Sequence, residues 1–214
     1  MILIRPNLLF VALLLTQHAI AQPTWIRDSL DIFVARSMQT EQLPGLAIAV
    51  VQDGKVVLQR TYGVREAGKP ERVDDQTLFM IGSNSKAYTG TLLAMLEKDG
   101  KLSLEDKVTK WLPAFRLNDD CATRMVSIRD LLCHRIGMRT FQGDFTFWGS
   151  TLSQEEVMGK MAALVSSYEF RTRFGYCNSA FMTAGRIIPA ASGKTWEQAL
   201  RERIFKPLKM DRAL

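Results

Sequence analysis

The chain has 214 residues, of which 47% are hydrophobic and 23% charged, and its formal net charge is +6. This composition is that of an ordinary globular protein, which excludes a disordered tail, a fibre and a disulfide-rich scaffold. The charged residues are scattered, so no basic stripe predicts a nucleic-acid partner. A long apolar run occurs only at the start of the chain, and it is too short to predict a transmembrane segment.

The first 21 residues are typical of a secretory signal peptide. Arg5 precedes an apolar stretch at residues 8–15, and residues 19–21 (AIA) have the small-x-small form that signal peptidase accepts. We therefore expect cleavage after Ala21, a mature domain of residues 22–214 and a secreted or periplasmic location. A buried amino-terminal helix is the alternative interpretation of this stretch.

The next segment predicts a helix followed by a β-hairpin. Residues 45–51 (GLAIAVV) and 55–62 (KVVLQRTY) have the length and composition of strands, and Asp53-Gly54 between them favours a two-residue hairpin turn. A lone hairpin is marginal in water, so these strands need a larger sheet or a helical cover. Helical spacing of apolar residues predicts the preceding helix over about residues 24–38, through Trp25, Ile26, Leu30, Phe33 and Val34.

Nearly every segment from Ser83 onward predicts helix. Residues typical of helix ends follow several of these segments, namely Gly100, Pro113 and Gly137. Helix starts are indicated by capping-box spacing, in which two side chains three residues apart bond each other's backbone N–H groups. The four pairs with this spacing are Ser103 with Asp106, Ser127 with Asp130, Ser153 with Glu156, and Thr195 with Gln198.

The cysteines and histidines exclude two common kinds of site. Cys121, Cys133 and Cys177 allow at most one disulfide, and buried thiols are the simpler interpretation. No C-x-x-C element accompanies them, so no metal site is predicted. Cleavage of the leader removes His18 and leaves His134, at a predicted helix end, where a structural role is favoured over a catalytic one. With no G-x-S-x-G motif, Ser-His-Asp chemistry is disfavoured.

Residues 83–86 (SNSK) offer a different serine chemistry. Ser83 lies at the mouth of a predicted helix, and Lys86, three residues later, lies on the same face within reach of the hydroxyl. The lysine can accept the serine proton, while the helix N-terminus stabilises developing negative charge. A capping serine with a solvated lysine is the structural alternative.

A second candidate segment is Tyr176-Cys177-Asn178, which follows Phe174-Gly175 and precedes another predicted helix. Two side chains two residues apart in an extended loop point into one cleft. A phenol can relay protons when a nearby cation lowers its pKa, and an amide can bond a substrate carbonyl or hold the lysine. Alone, the pair is also typical of a buried tyrosine and a turn asparagine.

Together these segments resemble the serine β-lactamase and penicillin-binding-protein superfamily, in particular its class C β-lactamase-related, D-alanyl-D-alanine carboxypeptidase and esterase branch. The resemblance implies an α/β (α+β) fold with an antiparallel sheet, flanking helices and a helical region, of which this chain holds only the amino-terminal hairpin of the sheet. It extends over residues 25–214 and rests on residues 79–86, 100–108, 111–113, 127–138, 174–178 and 205–210.

The resemblance implies that Ser83 is the acylated nucleophile, Lys86 its proton acceptor, Tyr176 a second general acid or base, and Asn178 a contact to substrate and lysine. It implies no cofactor and no metal. The expected partner is a small-molecule or peptide substrate, such as a D-Ala-D-Ala peptide from the cell wall, a β-lactam, a D-amino-acid amide or a small ester. It implies no particular oligomeric state.

Several positions depart from the family pattern. Cys177 stands where serine is usual, Ile136 where serine or threonine is common, and Lys209 at the glycine of the P-L-G-M segment. The family's K-T-G or H-x-G element has no counterpart after Asn178, because no glycine follows Lys194-Thr195, which predict a helix cap. We therefore expect this sequence to be the amino-terminal portion of a longer parent.

Two hypotheses follow from the sequence. The first is an exported serine hydrolase that acts on an amide or ester carbonyl through an acyl-enzyme on Ser83. The second is a catalytically inactive, truncated or binding-only member of the same fold, which keeps the cleft without the third element.

Overall fold

The computed structural model describes Thr24, Ile26 and residues 29–213. The predicted signal peptide and Trp25 lie outside these residues. The described residues form two compact units, which divide between Met80 and Ile81. Among the described residues, no helix combines the length and the hydropathy that crossing a membrane requires.

The first unit contains one described helix and the predicted hairpin. Its elements are α1 (Leu30–Thr40), β1 (Gly45–Gln52) and β2 (Lys55–Gly63). The two strands pair antiparallel, as predicted. Asp53 and Gly54 join them with φ values of +50° and +72°, and positive φ at both central residues is the requirement of a tight hairpin turn.

Helix α1 buries some of the apolar residues that have helical spacing in the sequence and exposes others. Leu30 and Val34 are buried with Leu58 of β2 in one small core. Phe33, which shares the helical spacing, is 67% exposed. Tyr62 of β2 donates a hydrogen bond to Asp31 over 2.7 Å, which also ties the helix to the hairpin.

The second unit is mainly helical, as predicted. Its α-helices are α2 (Ser85–Lys98), α3 (Val108–Trp111), α4 (Asp120–Met125), α5 (Ile128–Leu132), α6 (Gln154–Lys160), α7 (Asn178–Ser192) and α8 (Trp196–Leu200). Three 3₁₀ turns, Gly82–Asn84, Asp144–Thr146 and Met161–Ala163, and a π-helical turn, Arg201–Phe205, complete it.

Three of the four predicted capping boxes are confirmed. Ser127, Ser153 and Thr195 each accept from the backbone three residues later and begin α5, α6 and α8. The helix start predicted at Ser103 is wrong. Asp106 does accept from the Ser103 N–H, but Lys107 is extended and bridges to Ser127, so α3 begins only at Val108.

Helix α7 lies at the centre of this unit and packs against α2, α5, α6 and α8. Its buried residues recur with helical period and form one face of the helix. The small side chains on this face let neighbouring helices approach closely. The fully buried apolar members are Ala180, Ala184, Ile187 and Ile188. The opposite stripe of α7 stays open and faces the candidate site.

A buried carboxylate fixes the loop after α5. Asp130 is fully buried and caps its own helix, and it also accepts from Arg135 Nε at 2.7 Å and from Arg171 Nη2 at 2.7 Å. Burial raises the pKa of the Asp130 carboxyl, but the hydrogen bonds from Arg171, Ser127 and Arg135 outweigh it and hold the pKa at about 2. This network joins two loops that lead into the candidate site.

Replacing Asp130 by Asn should destabilise the protein by about 3 kcal/mol, because it leaves two guanidinium groups without their buried carboxylate. The wild-type carboxylate contributes stability above about pH 4, and this contribution is lost as the pH falls towards about 2. Urea unfolding of Asp130→Asn and of the exposed control Asp120→Asn measures both effects. A loss in the Asp130 variant no larger than the control's, within about 0.5 kcal/mol, would contradict the role of this network.

Candidate active site

Ser83 and Lys86 lie together at the amino end of α2. Ser83 is in the 3₁₀ turn that precedes the helix, and Lys86 is the second residue of the helix itself. Lys86 Nζ lies 3.1 Å from Ser83 Oγ and 2.6 Å from Asn178 Oδ1, and it donates to both oxygens. One lysine thus joins the start of α2 to the start of α7.

Tyr176 completes the contacts of the serine hydroxyl. Its Oη lies 2.6 Å from Ser83 Oγ, and Lys86 Nζ lies 4.8 Å from the centroid of its ring. The structure therefore brings together all four residues that were singled out in the sequence, although Ser83 and Tyr176 are 93 positions apart. Ser83 is exposed, so its hydroxyl is open to a bound molecule.

The Tyr176 phenol has a lowered pKa. Burial raises the pKa of this group, but the positive charge of Lys86 and the hydrogen bond with Ser83 Oγ outweigh it and bring the pKa below the ordinary value of 10.0. A hydroxyl with a lowered pKa next to a serine can exchange a proton with it more readily near neutral pH.

Close backbone packing holds Tyr176 in place. A Cβ atom on Gly175 would lie 1.7 Å from the carbonyl oxygen of Met138, so only glycine fits there. The Tyr176 carbonyl accepts from the Phe141 N–H at 2.8 Å, and the Gly175 N–H donates to the His134 carbonyl at 2.8 Å. The backbone of the loop after α5 therefore holds the segment that contains Tyr176 in position.

Asp144 is a site residue that sequence reasoning missed. Its Oδ2 accepts from Asn178 Nδ2 at 2.8 Å. Because a carboxylate only accepts, this bond turns the Asn178 amide so that its oxygen faces Lys86. The Oδ1 atom of Asp144 is buried and has no hydrogen-bond partner among the described residues. In the sequence, Asp144 is one acid in a loop with no period or motif that marks it.

His134 has a structural contact, of the kind that the sequence favours. Its buried ring accepts a hydrogen bond at Nδ1 from the Cys177 N–H, at 2.9 Å. Burial raises the pKa of the Cys177 thiol to about 11, so this thiol stays protonated. All three cysteines are free thiols in the structure. Cys177 is buried, as expected, but the expectation of buried thiols is wrong for Cys121 and Cys133, which are exposed.

An open cleft of about 1060 Å³ adjoins Ser83 and Lys86. One wall is the open stripe of α7, and the others come from α2, from the loop after α5 and from the start of α8. The stripe consists of Asn178, Phe181, Met182, Gly185, Arg186 and Pro189, and the aromatic side chains facing it are Phe147, Trp148 and Trp196. Largely apolar walls with a few polar groups are typical of small-molecule sites.

Metal-ligating side chains do not gather within the part of the chain that the structure describes. No group of three or more His, Cys, Asp or Glu side chains there has the arrangement to hold a metal ion. The charged residues that line the cleft are Lys86, Arg186 and Glu197.

Comparison with known proteins identifies the family. The family model described as Beta-lactamase matches residues 30–213. The chain therefore belongs to the β-lactamase family, and its fold is that of β-lactamases and penicillin-binding proteins, which are serine hydrolases. This confirms the family and fold class predicted from the sequence.

Individual relatives are about twice as long as this chain or longer. Penicillin-binding protein 4 of Amycolatopsis lactamdurans is 32% identical over 183 residues, which are 83% of this chain and 46% of that protein. Protein flp of Staphylococcus aureus (strain MW2) is 26% identical over 188 residues, 86% of this chain and 37% of its own length. The octameric penicillin-binding protein homologue from Pyrococcus abyssi has a TM-score of 0.71 at 26% identity, over 85% of this chain and 42% of that one.

The lowered pKa of Tyr176 predicts an early phenol ionisation. Ultraviolet difference titration should show one tyrosine ionising below pH 10.0, and this step should be missing in Tyr176→Phe. In Lys86→Met the step should move to higher pH, because the nearby positive charge is gone.

Tyr62 supplies the control for this titration. Burial and its hydrogen bond to Asp31 raise the pKa of the Tyr62 phenol, so Tyr62→Phe should keep the early step. An early step that survives in Tyr176→Phe would show that another tyrosine is responsible.

Proposed function

We propose that this protein is an exported serine hydrolase that forms an acyl-enzyme on Ser83 with an amide or ester substrate. The observation that carries the proposal is the convergence of Lys86 Nζ and Tyr176 Oη on Ser83 Oγ, at 3.1 and 2.6 Å. A capping serine with a solvated lysine does not require either contact, and the tyrosine comes from a distant part of the chain. Export is proposed from the signal-peptide pattern of residues 1–21.

In acylation, Ser83 Oγ attacks the substrate carbonyl carbon and forms a C–O bond. The serine proton passes to whichever of its two neighbours is in the basic form, either the neutral amine of Lys86 or, beside a charged Lys86, the phenolate of Tyr176. It is then donated to the leaving amine or alcohol as the bond to the carbonyl carbon breaks. The amino end of α2 points at this site, where its dipole favours the negative charge that develops on the carbonyl oxygen. Water then attacks the ester, and the same groups return the proton to Ser83.

Asn178 and Asp144 set the position of the lysine. Asn178 Oδ1 accepts from Lys86 Nζ at 2.6 Å, which keeps the amine next to Ser83 instead of in solvent. Asp144 holds the other end of the amide. The carboxylate thus acts on Ser83 only through Asn178 and Lys86, as a positioning residue.

The cleft supports a substrate with an apolar or aromatic group near the reacting carbonyl. Phe147, Trp148 and Phe181 line it close to residues of the Ser83 site. One relative is named a penicillin-binding protein, which supports β-lactams and D-Ala-D-Ala peptides as candidate substrates, beside D-amino-acid amides and small esters.

Ser83→Ala should abolish covalent labelling, because the nucleophilic oxygen is removed. A fluorescent penicillin and a fluorophosphonate, each followed by gel fluorescence, measure this, with Ser37→Ala in α1 as the matched control. Lys86→Ala and Tyr176→Phe should slow labelling by about 10²- to 10⁴-fold, the usual contribution of a proton-transfer group. Unchanged labelling of Ser83→Ala, or reversible binding by the wild type with no adduct in its intact mass, would reject the proposal in favour of a binding-only protein.

Asp144→Asn should slow acylation by about tenfold or more, because an amide at this position no longer dictates which end of Asn178 faces Lys86. The burst rate with p-nitrophenyl acetate measures the effect, and the exposed variant Asp120→Asn should retain the wild-type rate. Equal burst rates in the wild type and both variants would show that Asp144 does not position the lysine.

A further inference from the structure

Three successive backbone N–H groups leading into α7 donate to the loop that follows α5. The Gly175 N–H donates to the His134 carbonyl at 2.8 Å, the Tyr176 N–H to Thr140 Oγ1 at 3.3 Å, and the Cys177 N–H to His134 Nδ1 at 2.9 Å. A buried N–H without a partner is costly, so these bonds determine where the segment lies. His134 supplies two of the three acceptors.

The backbone of His134 adopts an uncommon conformation that serves this contact. Its φ is +56°, in the left-handed region, which is uncommon for residues other than glycine and in which asparagine, aspartate and histidine are enriched. The residue is 7% exposed. A residue held at positive φ and buried next to a candidate active site is consistent with a positional requirement at that point.

The imidazole also packs directly on the aromatic rings of the site. Its centroid lies 4.6 Å from that of Tyr176, with the ring planes 28° apart, and 5.0 Å from that of Phe181. Phe174 contacts it edge-on at 5.4 Å. One side chain therefore holds the backbone on the carboxyl side of Tyr176 and the face of the Tyr176 ring. The imidazole supplies both contacts, because it is an aromatic ring that is also a hydrogen-bond acceptor.

We propose that His134 is a positioning residue for the Ser83 site: its Nδ1 atom, its carbonyl and its ring face together place Tyr176 Oη within hydrogen-bond distance of Ser83 Oγ. The inference rests on the proposed function, because it assigns His134 a role in acylation through Tyr176. His134 itself has no contact with Ser83 or with the reacting atoms, and it transfers no proton.

This role requires a neutral imidazole. An Nδ1 atom that accepts from the Cys177 N–H must be unprotonated, which places the single ring proton on Nε2. Burial lowers the pKa of the His134 imidazole, and the positive charge of Lys86 lowers it further, so the neutral form is favoured at neutral pH. The environment thus matches the tautomer that the hydrogen bond demands.

Two substitutions separate the hydrogen bond from the ring. His134→Asn places Oδ1 the same number of bonds from Cα as Nδ1 and suits positive φ, so it keeps the acceptor. His134→Phe keeps an aromatic ring but has no acceptor. We expect the Phe variant to acylate Ser83 about 10- to 100-fold more slowly than the wild type, since small displacements of a reacting group cost rates of this order. The Asn variant should recover most of this loss.

The burst rate with p-nitrophenyl acetate and the early ionisation of Tyr176 are both measured for each variant, alongside thermal unfolding. The early ionisation should persist in His134→Asn and shift upward in His134→Phe, because Tyr176 moves away from Lys86. Phe174→Leu, which changes only the edge contact of the imidazole, should behave as the wild type. Rates and ionisation that are equal in the Asn and Phe variants, or that follow only thermal stability, would overturn the proposal.

A measurement on the unmutated protein keeps the test decisive if a variant fails to fold. The sequence contains two histidines, His18 and His134, so selective ¹⁵N-histidine labelling yields few NMR signals. We expect His134 as the Nε2–H tautomer at neutral pH with Nδ1 accepting a hydrogen bond, and the Nδ1–H tautomer would overturn the proposal. A wild type that is never acylated would reject the proposed function, whereas the tautomer and the Tyr176 ionisation would still decide the role of His134.

Discussion

The site depends on one amine held between two helices. Lys86 Nζ, near the start of α2, contacts both Ser83 Oγ beside it and Asn178 Oδ1 at the start of α7. A lysine on a helix surface would otherwise extend into water, where its charge is best solvated. Here the amine instead contacts two oxygen acceptors and lies over the face of Tyr176. The positive charge therefore stays at the serine, and it also lowers the pKa of the Tyr176 phenol.

Surrounding residues stabilise this arrangement in steps. Asp144 orients the Asn178 amide, and His134 holds the backbone around Tyr176. Further away, Asp130 ties Arg135 and Arg171 to the end of α5, so the loops on either side of the site share one buried carboxylate. Each of these residues fixes the position of the group that it contacts. A rigid supporting arrangement of this kind is what proton transfer between closely spaced groups requires.

Local patterns predicted those parts of the fold that depend on neighbouring residues. The hairpin turn at Asp53-Gly54 and three helix caps follow from backbone chemistry over a few positions, and the spacing of Ser83 and Lys86 places them on one helix face. The helix start predicted at Ser103 was wrong because its partner Asp106 also accepts hydrogen bonds from Lys110 and Trp111. In addition, the backbone at Lys107 pairs with a distant segment. That outcome is determined by tertiary packing.

The spacing of the site residues in the sequence could not predict that they lie together in the fold. The contact of Tyr176 with Ser83 came only from the family resemblance, because no local period relates the two positions. Asp144 had neither a period nor a motif, and its role appears only once α7 places Asn178 beside it. Cys177, which stands where the family usually has serine, lies buried in the core.

The most direct test of the central claim is to locate the covalent adduct in the chain. After reaction with a fluorophosphonate, tryptic digestion and mass spectrometry should find the added mass on the peptide of residues 73–86, with fragmentation assigning it to Ser83 and not to Ser85. The reaction should slow by about 10²- to 10⁴-fold when Lys86 is replaced by Ala. An adduct on any other residue, or an adduct on Ser83 that forms as fast without the lysine as with it, would contradict the account.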